Sequence, residues 1–284
     1  MNKKAVLLLV CRDEPGIVSR VSNFIFQNGG NILDSDQHCD LETQTFFLRI
    51  EWSLENFKLS REAAQRQIEA LTQSFRISTQ LKYNDSLARL ALFVSKYPHC
   101  LYDLLVRHQL GELEVEIPLI ISNHSELKSV AQHFKIPFHV LSVNAQNKTQ
   151  AEAAQIKLLQ DHQIDFIVLA RYMQVLSADF ISKYSHRIIN IHHSFLPAFV
   201  GAKPYHQAYA RGVKVIGATS HYVTEEVDQG PIIAQQVAEV SHRDRVEDLV
   251  RKGRDLERSA LAHAVRMHVQ HRVLAYKNKT IVFE

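Results

Sequence analysis

No long hydrophobic run occurs in this sequence. Among its 284 residues no stretch approaches the roughly 18–20 consecutive apolar residues of a membrane helix. The apolar run AVLLLV near the start meets charge at once and is too short for a signal h-region. Cysteine is scarce: Cys11, Cys39 and Cys100 form an odd set with no CxxC pair. That argues against a disulfide scaffold and for a reduced, cytoplasmic setting. An excess of one charge is missing too. With 33 basic and 30 acidic residues the formal net charge is +3, too balanced to argue for nucleic acid or a membrane surface as partner. Internal repeats, heptad arrays and low-complexity tracts are also absent.

What is present is ordinary globular composition, 46% hydrophobic and 22% charged, with room for one large domain or two smaller ones. Residues 5–11 read as an apolar strand. Pro15 suits a helix start, and Ile17, Val21, Phe24 and Ile25 recur at helical spacing. Two strands over 31–38 and 43–52, a helix over 61–74 and a strand over 76–82 follow. The order β-α-β-β-α-β suits a ferredoxin-like α+β unit. The polar YNDS at 83–86 marks a boundary, giving domains 1–84 and 85–284. Beyond it, continuous apolar runs at 90–94, 115–121, 138–141, 166–170 and 188–191 alternate with helix-length segments. That predicts a Rossmann-like α/β domain with a mostly parallel sheet. Strand-like runs at 213–223 and 232–240 and a long helix over 245–269 complete it. On that helix Arg251, Lys252, Arg254 and Arg258 read as a solvated face.

In such sheets ligands gather at the carboxyl ends of the strands. Asn190 and His192 alternate with Ile189 and Ile191 at one such end, so both project from one face. Asp228 follows in a turn-prone DQGP. An amide, an imidazole and a carboxylate suit acyl chemistry. Asn190 can donate to an oxyanion, His192 can donate or move protons, and Asp228 can orient a water. Two other readings of these residues exist. His192, His193, His206 and His221 offer zinc ligands without a zinc signature. Ser194 offers a nucleophile without a GxSxG elbow.

The stretch INIHHSFLPAFVGAKPYHQA, followed by GATSHYVTEEVDQGPIIAQ, resembles the signature of the 10-formyltetrahydrofolate-dependent formyltransferase family. The resemblance runs from about residue 90 to the C-terminus. It implies catalytic roles for Asn190, His192 and Asp228. It also implies folate binding by the LARYMQVLS stretch at Met173, Gln174, Val175 and Leu176, and by a closing loop over 223–228 with Val223 and Glu225. The substrate would be 10-formyltetrahydrofolate, with no permanently bound cofactor and no metal.

The N-terminal VCRDEPGIVSRVSNFIFQNGGNI resembles an ACT domain. It implies a homo-oligomer with an amino-acid effector, such as glycine or methionine, near Asp13, Gly16, Ile17, Gly30 and Asn31. The same residues also serve simply as a helix entry and a strand turn.

One departure bears on the reaction. Glycinamide ribonucleotide transformylases carry a glycine-rich phosphate loop where this chain reads VSKYPHCLYDLL (94–105), with no glycine. Such a backbone does not readily wrap a phosphate. Paired with the ACT-like segment, this resembles the hydrolytic branch of the family. The expected activity is hydrolysis of 10-formyltetrahydrofolate to tetrahydrofolate and formate, balancing the one-carbon pool and supplying formate for purine synthesis. The alternative is formyl transfer to an amine such as glycinamide ribonucleotide.

Overall fold

The computed structural model describes residues 3–198 and 204–284; the FVGAK part of the signature lies outside the described residues. The first elements are β1 (Lys4–Arg12), α1 (Ile17–Gln27), β2 (Asn31–Asp40), β3 (Thr45–Ser53), α2 (Arg61–Thr72) and β4 (Arg76–Tyr83). They form the expected ferredoxin-like order, with an antiparallel sheet arranged β2-β3-β1-β4. The period of two on β1 explains its helix-facing side. Ala5, Leu7, Leu9 and Cys11 pair with Trp52, Ile50, Leu48 and Phe46 of β3. They share a core with Ile17, Val21 and Ile25 of α1 and Ile68 of α2. Each such fully buried aliphatic side chain contributes roughly 1.5–3 kcal/mol.

The opposite face of this sheet is also buried, through Val6, Leu8, Val10, Phe47 and Arg49. A buried guanidinium needs partners. Arg49 finds Asp34 Oδ2 at 2.7 Å, Glu51 Oε2 at 2.6 Å and the His271 carbonyl at 3.0 Å. Arg272 joins the same Asp34 oxygen at 2.9 Å. Residues from the far end of the chain thus belong to this unit: it comprises Met1–Leu87 with His271–Leu274 and Ile281–Glu284. A single cut after residue 84 leaves those two returning segments out.

The second unit, Ala88–Gln270 with Ala275–Thr280, contains a seven-stranded sheet. Its elements are β5 (Ala88–Val94), α3 (His99–Gln109), β6 (Val115–Ser122), α4 (Lys128–His133), β7 (Phe138–Val140), α5 (Lys148–Asp161), β8 (Phe166–Leu169), α6 (Ala178–Lys183), β9 (Ile188–His192), α7 (Pro204–Arg211), β10 (Val215–Tyr222), β11 (Ile232–Glu239) and α8 (Val246–Val269). The hairpin strands β12 (Val273–Tyr276) and β13 (Lys279–Val282) pair with each other; the sequence reading had no strands there. The sheet order is β11-β10-β9-β8-β5-β6-β7. β5 to β9 pair in parallel, while β10 and β11 run antiparallel. Buried on both faces, the parallel strands read as unbroken apolar runs.

Helix ends follow local chemistry. Ser60 caps α2 by accepting from Ala63 N, and Ser177 caps α6 by accepting from Phe180 N, both at 3.2 Å. Asp248 Oδ2 accepts from Arg245 N at 3.0 Å, closing the start of α8. At the sheet centre Phe93 is fully buried, edge-on to Tyr172 at 5.2 Å and Phe180 at 6.1 Å between ring centroids. Phe93→Ala should cost about 3–5 kcal/mol of the second unit's stability, read as a lowered urea midpoint. A loss under about 1 kcal/mol would contradict this packing.

Candidate active site

The strand end of β9 brings Asn190 and His192 to one cavity of about 660 Å³, a volume ordinary for a small-molecule site. β10 runs antiparallel beside it with His221 opposite Asn190. That register sets Asn190 Nδ2 3.2 Å from His221 Nε2. His221 Nδ1 lies 2.9 Å from the Tyr222 carbonyl. A carbonyl only accepts, so Nδ1 carries the proton and Nε2 accepts from Asn190. The second N–H of the Asn190 amide is left to serve the cavity.

Asp228 arrives from the loop between β10 and β11. Its Oδ2 lies 3.1 Å from His192 Nδ1, and its Oδ1 3.6 Å from His221 Nε2. The second distance is a close approach rather than a hydrogen bond. Burial pushes the Asp228 carboxyl up, but the His192 hydrogen bond outweighs it and holds it well below the usual carboxylate range. Its backbone sits at φ 57°, a left-handed conformation that aspartate tolerates better than most residues. Gly230 makes the return possible. A Cβ there would stand 1.8 Å from the Tyr222 carbonyl oxygen, and Tyr222 N donates to the Pro231 carbonyl at 2.9 Å.

With Nδ1 committed to Asp228, the free nitrogen of His192 is Nε2. It is buried and has no protein partner among the described residues. A neutral histidine can give or take a proton there, and a charged one can donate.

The stretch at Met173, Gln174, Val175 and Leu176 lines the same cavity, with Val223 and Glu225. It is tied down at both ends. Met173 N donates to Ser95 Oγ at 3.0 Å, and Ser177 N donates to Glu152 Oε1 at 2.9 Å. Between these ties Met173 and Val175 stand more than half exposed. Exposed apolar side chains on a fixed backbone suit a flat ring.

Other expected residues behave differently. Ser194 Oγ donates to the Ala198 carbonyl at 2.8 Å and does not line the cavity. The four histidines considered as zinc ligands form no ligand cluster among the described residues. In the first unit, Gly16 precedes α1 while Gly30 and Asn31 follow it. The 11-residue helix therefore holds Asp13, Gly16 and Ile17 roughly 16 Å from the other pair. Asn31 edges a separate hollow with Gly29, Leu33 and Asn56, whereas Ile17 is buried in the core.

Comparison with known proteins resolves the family. The formyl transferase family matches residues 88–265, and the ACT domain family matches residues 5–73. A formyltetrahydrofolate deformylase of Synechocystis sp. is 54% identical over 282 residues, covering 99% of each chain. That of Bacillus subtilis is 48% identical over 99% of this chain and 94% of its own. A crystal structure of a formyltetrahydrofolate deformylase from Pseudomonas syringae pv. tomato superposes with a TM-score of 0.95 at 43% identity, covering 100% of this chain and 95% of that one. The chain belongs to the formyltetrahydrofolate deformylase family.

A second polar group completes the cavity of this deformylase-family chain. Glu257 of α8 is 2% exposed. Its Oε2 lies 2.8 Å from His99 Nε2 and 3.4 Å from Arg171 Nε, and its Oε1 accepts from Tyr205 OH at 2.9 Å. Burial pushes this carboxyl up, but His99, Arg171 and Tyr205 together hold it below its ordinary value. With Cys100, His99 and Glu257 have the spacing of metal ligands. The arginine cation on the same carboxylate oxygen disfavours a second cation there, and burial and Glu257 keep the Cys100 thiol protonated. Arg254, read from sequence as solvated, also lines the cavity.

His221, Arg171 and Glu257 escaped sequence reasoning as partners in this cavity. The role of His221 depends on cross-strand register, which no local pattern encodes. Glu257 did leave a signal: an acid on the buried stripe of α8, between Gly253 and Leu261.

His193, beside these groups, is pushed down to about 4 by burial and by Arg171, from a reference near 6.5. As pH falls, the unfolded chain takes up this proton first, so stability is intact above pH 6.5 and declines towards pH 4, by up to roughly 3 kcal/mol. His271, also pushed down to about 4 by burial, adds a similar slope. Urea titrations at pH 7, 5.5 and 4.5 should show His193→Asn losing less stability across this range than the parent. Equal slopes would contradict the assignment.

Proposed function

We propose that this chain hydrolyses 10-formyltetrahydrofolate to tetrahydrofolate and formate, using Asn190, His192 and Asp228. The observation that carries the reading is the convergence of these three side chains, with His192 Nδ1 held by Asp228, on one cavity. The pterin lies along the backbone of Met173, Gln174, Val175 and Leu176, with Val223 and Glu225 of the neighbouring loop against it. This delivers the formyl carbon to the end of β9. Water attacks that carbon. Its developing oxyanion takes hydrogen bonds from the Asn190 amide and from protonated His192 Nε2. Asp228 accepts a hydrogen bond from the attacking water and stabilises the imidazolium through Nδ1. As the C–N bond breaks, the proton from water passes through the Asp228–His192 pair to N10. Water supplies the oxygen that makes formate, and no resident cofactor enters.

The glycine-free loop after β5 supports water over a phosphorylated amine as acceptor. Pro98 has no N–H to offer, and Nε2 of His99 is already engaged by Glu257. Formate released in this way balances the one-carbon pool and feeds purine synthesis. Scarce, unpaired cysteines support a cytoplasmic setting. The ACT domain supports control by an amino acid and a homo-oligomeric assembly; because Asp13 and Asn31 lie at opposite ends of α1, an effector that touches both sets bridges two copies.

Purified protein given 10-formyltetrahydrofolate without any amine should release one formate per tetrahydrofolate formed. His192→Ala and Asp228→Ala should each lower kcat by roughly 10²-fold or more. Near-normal turnover by Asp228→Ala, or no formate from the parent protein, would overturn the reading.

A further inference from the structure

His221 is 2% exposed and lies against two of the three residues given parts in the proposed hydrolysis. Its Nε2 is 3.2 Å from Asn190 Nδ2 and 3.6 Å from Asp228 Oδ1. The steps of that reaction leave the ring itself without a part.

The backbone sets where this ring stands. On β10 His221 sits opposite Asn190 in the antiparallel ladder. The neighbouring Ser220 Oγ donates to the Asn190 carbonyl at 3.1 Å, a second tie between the strands at this point. The Tyr222 carbonyl, 2.9 Å from His221 Nδ1, is itself hemmed in. Gly230 passes so close that a Cβ there would stand 1.8 Å from its oxygen. Tyr222 is held on two more sides: its N donates to the Pro231 carbonyl at 2.9 Å, and its hydroxyl lies 2.8 Å from His268 Nδ1. A carbonyl fixed in this way keeps the ring proton on Nδ1.

The consequence falls on Asn190. Its amide carries an oxygen at one end and two N–H groups at the other, and the two ends have nearly the same shape. Turned over, it would set its oxygen against the unprotonated Nε2, two acceptors in contact with no proton between them. A buried acceptor left without a donor is costly. The NH2 end therefore stays against Nε2. One N–H is used there, and the other is left for the cavity that Asn190 lines.

We propose that His221 is a positioning residue: through Nε2 it fixes which way round the Asn190 amide stands, so that an N–H and not the oxygen meets the developing oxyanion. This rests on the hydrolytic reading of the site. His221 touches no reacting atom in this scheme and acts through Asn190.

The test measures kcat and KM for formate release from 10-formyltetrahydrofolate by full-length variants. His221→Asn keeps an N–H within reach of the Tyr222 carbonyl but ends short of Asn190. His221→Gln reaches Asn190 with its amide oxygen, its NH2 drawn to the Asp228 carboxylate, which only accepts. An oxyanion donor acts in the transition state, so His221→Asn should lower kcat by about tenfold or more with KM within about threefold of the parent. His221→Gln should recover to within about fivefold of the parent kcat. A His221→Asn kcat within about threefold of the parent overturns the proposal, and so does a Gln variant no faster than Asn. The loss should also vanish with its target: added to Asn190→Ala, His221→Asn should lower kcat by no more than about twofold further. A further loss as large as that in the parent would place the action of His221 elsewhere, on Asp228, and would overturn the proposal too. Should His221→Asn fail to fold, His221→Leu, which fills much of the ring's space with no polar group, takes its place in both comparisons. A parent that releases no formate overturns the hydrolytic reading instead.

Discussion

The hydrogen bond between Asp228 and His192 organises this site. It commits Nδ1 of the imidazole and leaves Nε2 buried without a protein partner among the described residues. It also holds a carboxylate ionised inside a half-buried loop, where burial alone would favour the neutral acid. The bond exists because three backbone features coincide. β9 presents His192 at its carboxyl end, β10 returns antiparallel beside it, and Gly230 lets the following loop close onto Tyr222. The left-handed backbone at Asp228 is the local strain that this arrangement retains.

Around that bond the cavity is divided by chemistry. Fixed backbone with exposed apolar side chains, at Met173 and Val175, faces one way. An ionic cluster of Glu257 with His99, Arg171 and Tyr205 faces the other. The first suits a flat heterocycle. In the second, each oxygen of the central carboxylate has a protein partner. The fold supplies both, since the ends of β5 and β8 and the length of α8 converge where β9 terminates.

Much of this was legible in the sequence. Continuous apolar runs such as ALFV at the end of β5 announce parallel strands because both of their faces are covered. The apolar run of β1 and helical spacing from Ile17 to Ile25 announce the first unit. The Asn-x-His and Asp-x-Gly-Pro motifs point to residues that the structure brings to one cavity. What stayed hidden has a common cause, long separation in the chain. His221 meets Asn190 through register, Glu257 meets His99 across 158 positions, and Arg272 meets Asp34 across 238. The last of these accounts for the C-terminal segments that join the first unit, a return that composition does not signal. His221 was visible in sequence only as one of four histidines that offered zinc ligands. Glu257, an acid on an apolar helix stripe, was the one hidden residue that periodicity alone could have flagged.

The central claim is that water takes the formyl group at the Asp228–His192 pair, and isotopic oxygen tests it most directly. Turnover of 10-formyltetrahydrofolate in ¹⁸O-enriched water should place at least one ¹⁸O atom in every formate released. Formate carrying no label from the solvent would show that the formyl carbon is attacked by something else, and would contradict the account.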